Sequence, residues 1–108
     1  MKISFSTIAC PDYSWVDIYS MAKDLGFDGI EIRGMGDDFA AYKAMPFTEA
    51  NRPKTRAKLK ALNIEIPCLS SGCCLKNRER EAETIEELTE YCKLAQQINA
   101  PYIRVLAD

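Results

Sequence analysis

The sequence predicts an α/β fold with parallel strands in the order β-α-β-α-β-α-β. Three observations carry that prediction. A helical pattern runs through a turn into a short apolar strand at Gly26-Phe27-Asp28-Gly29-Ile30-Glu31-Ile32-Arg33. The same passage recurs at Leu62-Asn63 before Ile64 and at Asn99-Ala100-Pro101 before Tyr102. The connections between strands are long enough to hold a helix, which parallel neighbours require.

Residues 2–9, Lys-Ile-Ser-Phe-Ser-Thr-Ile-Ala, alternate apolar with small polar residues and read as the first strand. Ile3 and Phe5 point one way, Ser4 and Ser6 the other, and Cys10-Pro11-Asp12 ends the run. Ser14 with Asp17 makes a capping box. The first helix then runs to Leu25, with Trp15, Ile18, Ala22 and Leu25 on one face. Gly26 stands where a left-handed residue closes a helix.

The second strand spans residues 29–33, with Glu31 and Arg33 opposite Ile30 and Ile32. A loop at residues 34–38 and a short helical turn within 39–46 follow, and a long connection after a strand is often functional. Pro53 suits the first turn of the second helix. Ala57, Leu59 and Leu62 are its expected apolar positions, and Lys54, Arg56, Lys58 and Lys60 its solvated face.

The third strand is expected at residues 64–69, with Pro67 marking an irregularity or a shift in pairing. Ser70-Ser71-Gly72-Cys73-Cys74 is expected as a loop at its C-terminal end. Thr84 with Glu87 forms a second capping box, and Ile85, Leu88, Cys92, Ala95 and Ile98 are the expected buried face of the third helix. Tyr102 to Leu106 is the fourth strand.

At 108 residues, with 47% apolar and 28% charged residues, the chain has the composition of a globular domain rather than of a disordered one. A net charge of −2 with interleaved signs gives no footprint for nucleic acid. No apolar run is long enough to span a membrane, and the N-terminus lacks the core of a signal peptide, so the expected location is cytoplasmic. Five cysteines make a closed disulfide framework a poor fit. With no Cys-x-x-Cys pair and no histidine, a zinc site has little to draw on. Cys68 and Cys92 are expected to be small buried residues, and Cys73-Cys74 would form only a strained bridge.

Two architectures fit the alternation: an open doubly wound sheet and a segment of a (β/α) barrel. Cys10-Pro11-Asp12-Tyr13-Ser14 has none of the glycines of a dinucleotide-binding turn. Ser4, Ser6, Glu31, Arg33 and Arg104 place polar side chains on strands, which suits a barrel lumen better than a sheet covered on both faces.

The segments Gly26–Arg33, Ile64–Cys74 (Ile-Glu-Ile-Pro-Cys-Leu-Ser-Ser-Gly-Cys-Cys) and Ala100–Val105 (Ala-Pro-Tyr-Ile-Arg-Val) resemble the early strands of the xylose isomerase-like TIM-barrel superfamily. That superfamily holds sugar and sugar-phosphate isomerases and epimerases, inosose dehydratases and endonuclease IV-type enzymes. A full barrel takes about 250 residues, so the resemblance implies the N-terminal half of a (β/α)8 TIM barrel, a single partial domain over residues 1–108. The resemblance implies, for the isomerases and epimerases of the group, removal of a proton beside a carbonyl, using carboxylates and a divalent metal. The resemblance places the metal ligands mostly on later strands, so a divalent metal is expected in a full-length barrel and none is assigned to this chain. The endonuclease branch needs histidines that are missing here.

In a TIM barrel the site lies at the C-terminal ends of the strands. The substrate-binding candidates are therefore Ser6, Glu31, Arg33, Ser70, Ser71 and Arg104, with Thr7 and Asp108 beside them, and the catalytic residues are left open. Glu31 and Arg33 either hydrogen-bond a sugar hydroxyl or satisfy each other. Arg104 either pairs with an acid on a neighbouring strand or binds a substrate carboxylate or phosphate. The expected partner is a small sugar or sugar phosphate, with no nucleic acid and no membrane. Two further expectations concern the chain alone: it lacks turnover, and its open strand edges favour a homodimer or higher self-association, the alternative being a self-associating half-barrel that acts as a small-molecule binding or structural module.

Overall fold

The computed structural model describes residues 1–107; Asp108 lies outside the described residues. Four parallel strands alternate with three helices: β1 (Ser4–Ser6), α1 (Trp15–Leu25), β2 (Gly29–Glu31), α2 (Arg52–Leu62), β3 (Cys68–Cys74), α3 (Glu81–Ile98) and β4 (Tyr102–Leu106). β1 pairs with β2 and β3 with β4, both in parallel. Parallel bridges at Gly29–Glu65 and Ile32–Leu69 join the two pairs. The strands thus stand side by side in chain order, the arrangement of a partial TIM barrel.

The recurring helix-turn-strand passage has one physical cause. Each helix ends on a residue in the left-handed region: Gly26 at φ 76°, Asn63 at φ 57° and Asn99 at φ 62°. The residue after each cap donates back to the last turn, Phe27 to Ala22 O at 2.9 Å, Ile64 to Leu59 O at 2.9 Å and Ala100 to Ala95 O at 2.8 Å. Glycine and asparagine tolerate that backbone, so each of the three helices closes with the same left-handed turn. The Ser14–Asp17 capping box is present at the start of α1.

One face of the strands carries the core. Ile30, Ile32 and Leu69 are fully buried against Ile18, Ala22, Leu59, Leu94 and Ile98 of the helices, and Phe5 and Ile103 pack onto the same cluster. Each such aliphatic side chain stabilises the fold by about 1.5–3 kcal/mol. Gly29 lets the strands approach: a Cβ there would lie 2.6 Å from Ser4 Oγ and 3.1 Å from the Glu65 carbonyl oxygen.

Several elements depart from the sequence expectation. β1 is shorter, because residues 7–9 turn into a 3-10 helix after Ser6. Leu25 is exposed at the end of α1, and Tyr19 and Met21 pack inward in its place. The long connection after β2 holds three 3-10 turns, at Ala41–Lys43, Met45–Phe47 and Glu49–Asn51. They are pinned by Phe47 and by Tyr91, whose hydroxyl accepts from Ala41 N at 3.2 Å. α2 begins at Arg52 and buries it together with Thr55 and Leu59, while Ala57 is exposed. The Arg52 guanidinium donates to Phe47 O at 2.8 Å and to Gln97 Oε1 at 3.0 Å, so a cation tethers α2 to α3.

β3 lies later than expected. Pro67 cannot donate to a ladder, the preceding residues make only an isolated bridge, and regular pairing begins at Cys68. Residues 70–74 are therefore strand, not loop. α3 starts three residues before Thr84, without a side-chain cap, and its buried residues are Tyr91, Leu94, Ala95 and Ile98. Ile85 and Cys92 are exposed, one position out of phase with that face, so Cys92 is not the buried small residue expected, whereas Cys10 and Cys73 are buried.

Candidate functional site

The face of the strands opposite the core carries a polar row. The register aligns Ser6 with Glu31 across β1 and β2, and Ser70 with Arg104 across β3 and β4. The two halves join where Ser70 Oγ donates to Glu31 Oε1 at 3.0 Å. Ser6, Glu31, Ser70 and Arg104 thus follow one another across four strands on the face that a closed barrel turns inward. Ser70 is buried, Ser6 and Glu31 are half-buried, and Arg104 is exposed.

The mutual Glu31–Arg33 pair does not form. The ion pairs among the described residues are Lys2–Glu65, Arg80–Glu83 and Lys93–Glu90, all on the surface, and they include neither Arg33 nor Arg104. Glu31 takes its hydrogen bond from Ser70, and the two arginines of this face have no carboxylate partner among the described residues.

Beyond the row, the C-terminal ends of β1 to β3 open into a cleft of about 390 Å³. Thr7, Arg33, Ser70, Ser71 and Glu87 line it. Thr7 ties two strand ends together: its hydroxyl accepts from Arg33 N at 2.8 Å and donates to Gly34 O at 2.9 Å. Gly34 makes the turn at φ 68°, with the Asp38 carbonyl oxygen 3.0 Å from where a Cβ would sit. Ser71 faces away from Glu31, donating to Arg104 O at 2.7 Å where the β3–β4 register shifts. Of the expected residues, Arg33, Ser70, Ser71 and Thr7 therefore meet at the cleft, while Ser6, Glu31 and Arg104 line the lumen face below it. Ser70 belongs to both.

Glu87 is the cleft residue that sequence reasoning assigned elsewhere, to a helix cap. It reaches the cleft from α3 and bonds Cys73 Sγ at 3.4 Å. Burial pushes the Cys73 thiol up, the Ser71 hydroxyl pulls it down, and Glu87 adds to the rise, so Cys73 stays a protonated thiol. The spacing of Glu87 from Tyr91 and Leu94, on the buried face of α3, was the available signal. Cys68, on the lumen face, is raised by burial and then by the nearby Glu31.

No three His, Cys, Asp or Glu side chains among the described residues gather closely enough to hold a metal. No helix is long and apolar enough to cross a membrane.

The fold has solved relatives. The probable 3-DHS dehydratase AsbF involved in petrobactin synthesis, from Bacillus anthracis, superposes with a TM-score of 0.77 and 28% identity, over 97% of this chain and 38% of that one. A xylose isomerase domain protein from Planctomyces limnophilus superposes with a TM-score of 0.66 and 17% identity, over 97% of this chain and 39% of the other. The chain thus spans well under half the length of either structure. No curated protein matches it. Residues 19–108 match the family described as xylose isomerase-like TIM barrel, which with the parallel strands and the polar inner face places the chain in that family.

Proposed function

We propose that these residues form the N-terminal part of the lumen of an enzyme that removes a proton beside a carbonyl in a small hydroxylated substrate. A sugar phosphate is the foremost candidate, as for an isomerase or epimerase. The row from Ser6 through Glu31 and Ser70 to Arg104 carries this reading. Arg104, exposed on the inner face and free of any carboxylate among the described residues, binds a substrate phosphate or carboxylate with its planar fork. Glu31, held through one oxygen by Ser70, offers the other to a substrate hydroxyl. Dehydration of a hydroxylated carbonyl compound also opens with loss of a proton beside the carbonyl, so the likeness to a probable dehydratase supports the same reaction class.

In this proposal the general base and a divalent metal come from later strands of the barrel, this chain spanning well under half the length of its solved relatives. The metal would polarise the substrate oxygens; this chain's residues bind and orient. The test is turnover. Purified alone, with magnesium, manganese or cobalt added, the chain converts neither ribulose 5-phosphate nor 3-DHS. Turnover by these 108 residues that is lost in Arg104→Met would show that the catalytic groups are already present and overturn the division of labour.

A further inference from the structure

Between α1, α2 and the loop after β2 lies a groove of about 860 Å³. Its size falls within the range of small-molecule sites. Trp15 and Tyr19 of α1 line it edge to face, with ring centroids 5.6 Å apart, and Phe47 backs Trp15 at 5.2 Å. Tyr13, Val16 and Met45 stand exposed around it. The aromatic residues pack rigidly against one another and against the core, so the groove is formed without a ligand.

The second observation is electrostatic. Lys54 and Lys58, one turn apart on α2, line the same groove, and neither has a carboxylate partner among the described residues. Lys58, an exposed residue, places its Nζ 5.3 Å from the centroid of the Tyr19 ring, a cation over the aromatic surface. Asp38 is the acid of the lining and sits on the loop after β2, where its backbone pairs with Met35. Met35, Gly36 and Asp38 line both this groove and the cleft at the strand ends, so an occupant touches the loop that follows Arg33.

We propose that the groove between α1 and α2 is a second small-molecule site, which takes an aromatic carboxylate with its ring on Trp15 and Tyr19 and its charge at Lys54 and Lys58. The apolar floor supplies the area, and the two lysines select a carboxylate over a neutral molecule of the same shape. This site does not depend on the reading of the lumen face.

Trp15 is the one tryptophan of the chain, so its fluorescence reports the groove directly. The probe is 3-phenylpropionate, compared with its neutral counterpart 3-phenylpropanamide. The expected result is a saturable change in Trp15 emission, with the carboxylate binding about tenfold more tightly and losing that advantage in high salt. Lys54→Gln with Lys58→Gln brings the two probes to within about twofold. Should that double variant fail to fold, Val16→Glu, which sets a negative charge at the exposed rim, weakens the carboxylate more than the amide. No saturable change up to about 20 mM, a concentration at which even a weak site would fill, would overturn the proposal. Equal affinity for the two probes in the unaltered chain would overturn it as well.

Discussion

Ser70 Oγ donates to Glu31 Oε1 across 3.0 Å, joining β3 to β2 on the face opposite the core. The bond uses a fully buried hydroxyl and one oxygen of a half-buried carboxylate. It holds Glu31 in the row with Ser6 and Arg104 and leaves the second carboxylate oxygen free.

Replacing Ser70 by alanine should therefore cost about 1.5–3 kcal/mol, the range for a hydrogen bond to a charged group. Thermal unfolding measures it, and a loss of several degrees in Tm is expected for a chain of this size. Glu31→Gln, which keeps an acceptor for Ser70, should cost less than Ser70→Ala. The reverse order would show that the bond does not position Glu31.

Gly29 stands where β1, β2 and the segment before β3 converge. A methyl group there meets Ser4 Oγ at 2.6 Å, Pro67 Cδ at 3.0 Å and Glu65 O at 3.1 Å. The serine can rotate away; the carbonyl and the proline ring cannot move without shifting the strand. Gly29→Ala should destabilise by about 1–3 kcal/mol, as overpacking does. Adding Ser4→Gly should recover only part of that in denaturant titration, and full recovery would contradict the close approach of the backbones.

The sequence displayed some of this architecture plainly. Gly26, Asn63 and Asn99 marked three helix ends because a left-handed cap restricts which residues serve there. The capping box at Ser14 was equally legible. β3 was not, because Ser70-Ser71-Gly72 has the composition of a loop. Those serines are strand residues whose hydroxyls bond Glu31 and the Arg104 carbonyl, partners distant in sequence. The phase of α3 was obscured for a related reason. Its inward line passes through Thr84, Glu87 and Tyr91, polar or amphipathic residues, while Ile85 and Cys92 sit on the exposed side. Glu87 lies on that same line, and its partner at the cleft is Cys73, in the part of β3 that has a loop's composition.

Buried thiols and phenols predict a loss of stability at alkaline pH. Burial raises Cys10, Cys68 and Cys73 above 9.0, and Tyr42 and Tyr91 above 10.0. Each of these groups keeps its proton in the folded chain to a higher pH than in the unfolded one. The stability they contribute is complete below the unfolded values and is lost as pH rises through the folded ones. Unfolding free energy should be level up to about pH 8 and decline beyond about pH 9, the thiols acting first. Cys73→Ser should flatten the first part of the decline. Stability that rises between pH 9 and 10 would contradict the burial of these groups.

The central claim is that Ser6, Glu31, Ser70 and Arg104 form one substrate-facing row. Side-chain NMR of the chain titrated with ribulose 5-phosphate or 3-DHS, against D-xylose as the uncharged comparison, tests it most directly. The account predicts saturable shifts at the Arg104 guanidinium and at Glu31 with both anionic probes. It predicts weaker shifts with xylose, and their loss with all probes in Arg104→Met. Shifts confined to other faces of the molecule, or none at Arg104 with either anion, would contradict it.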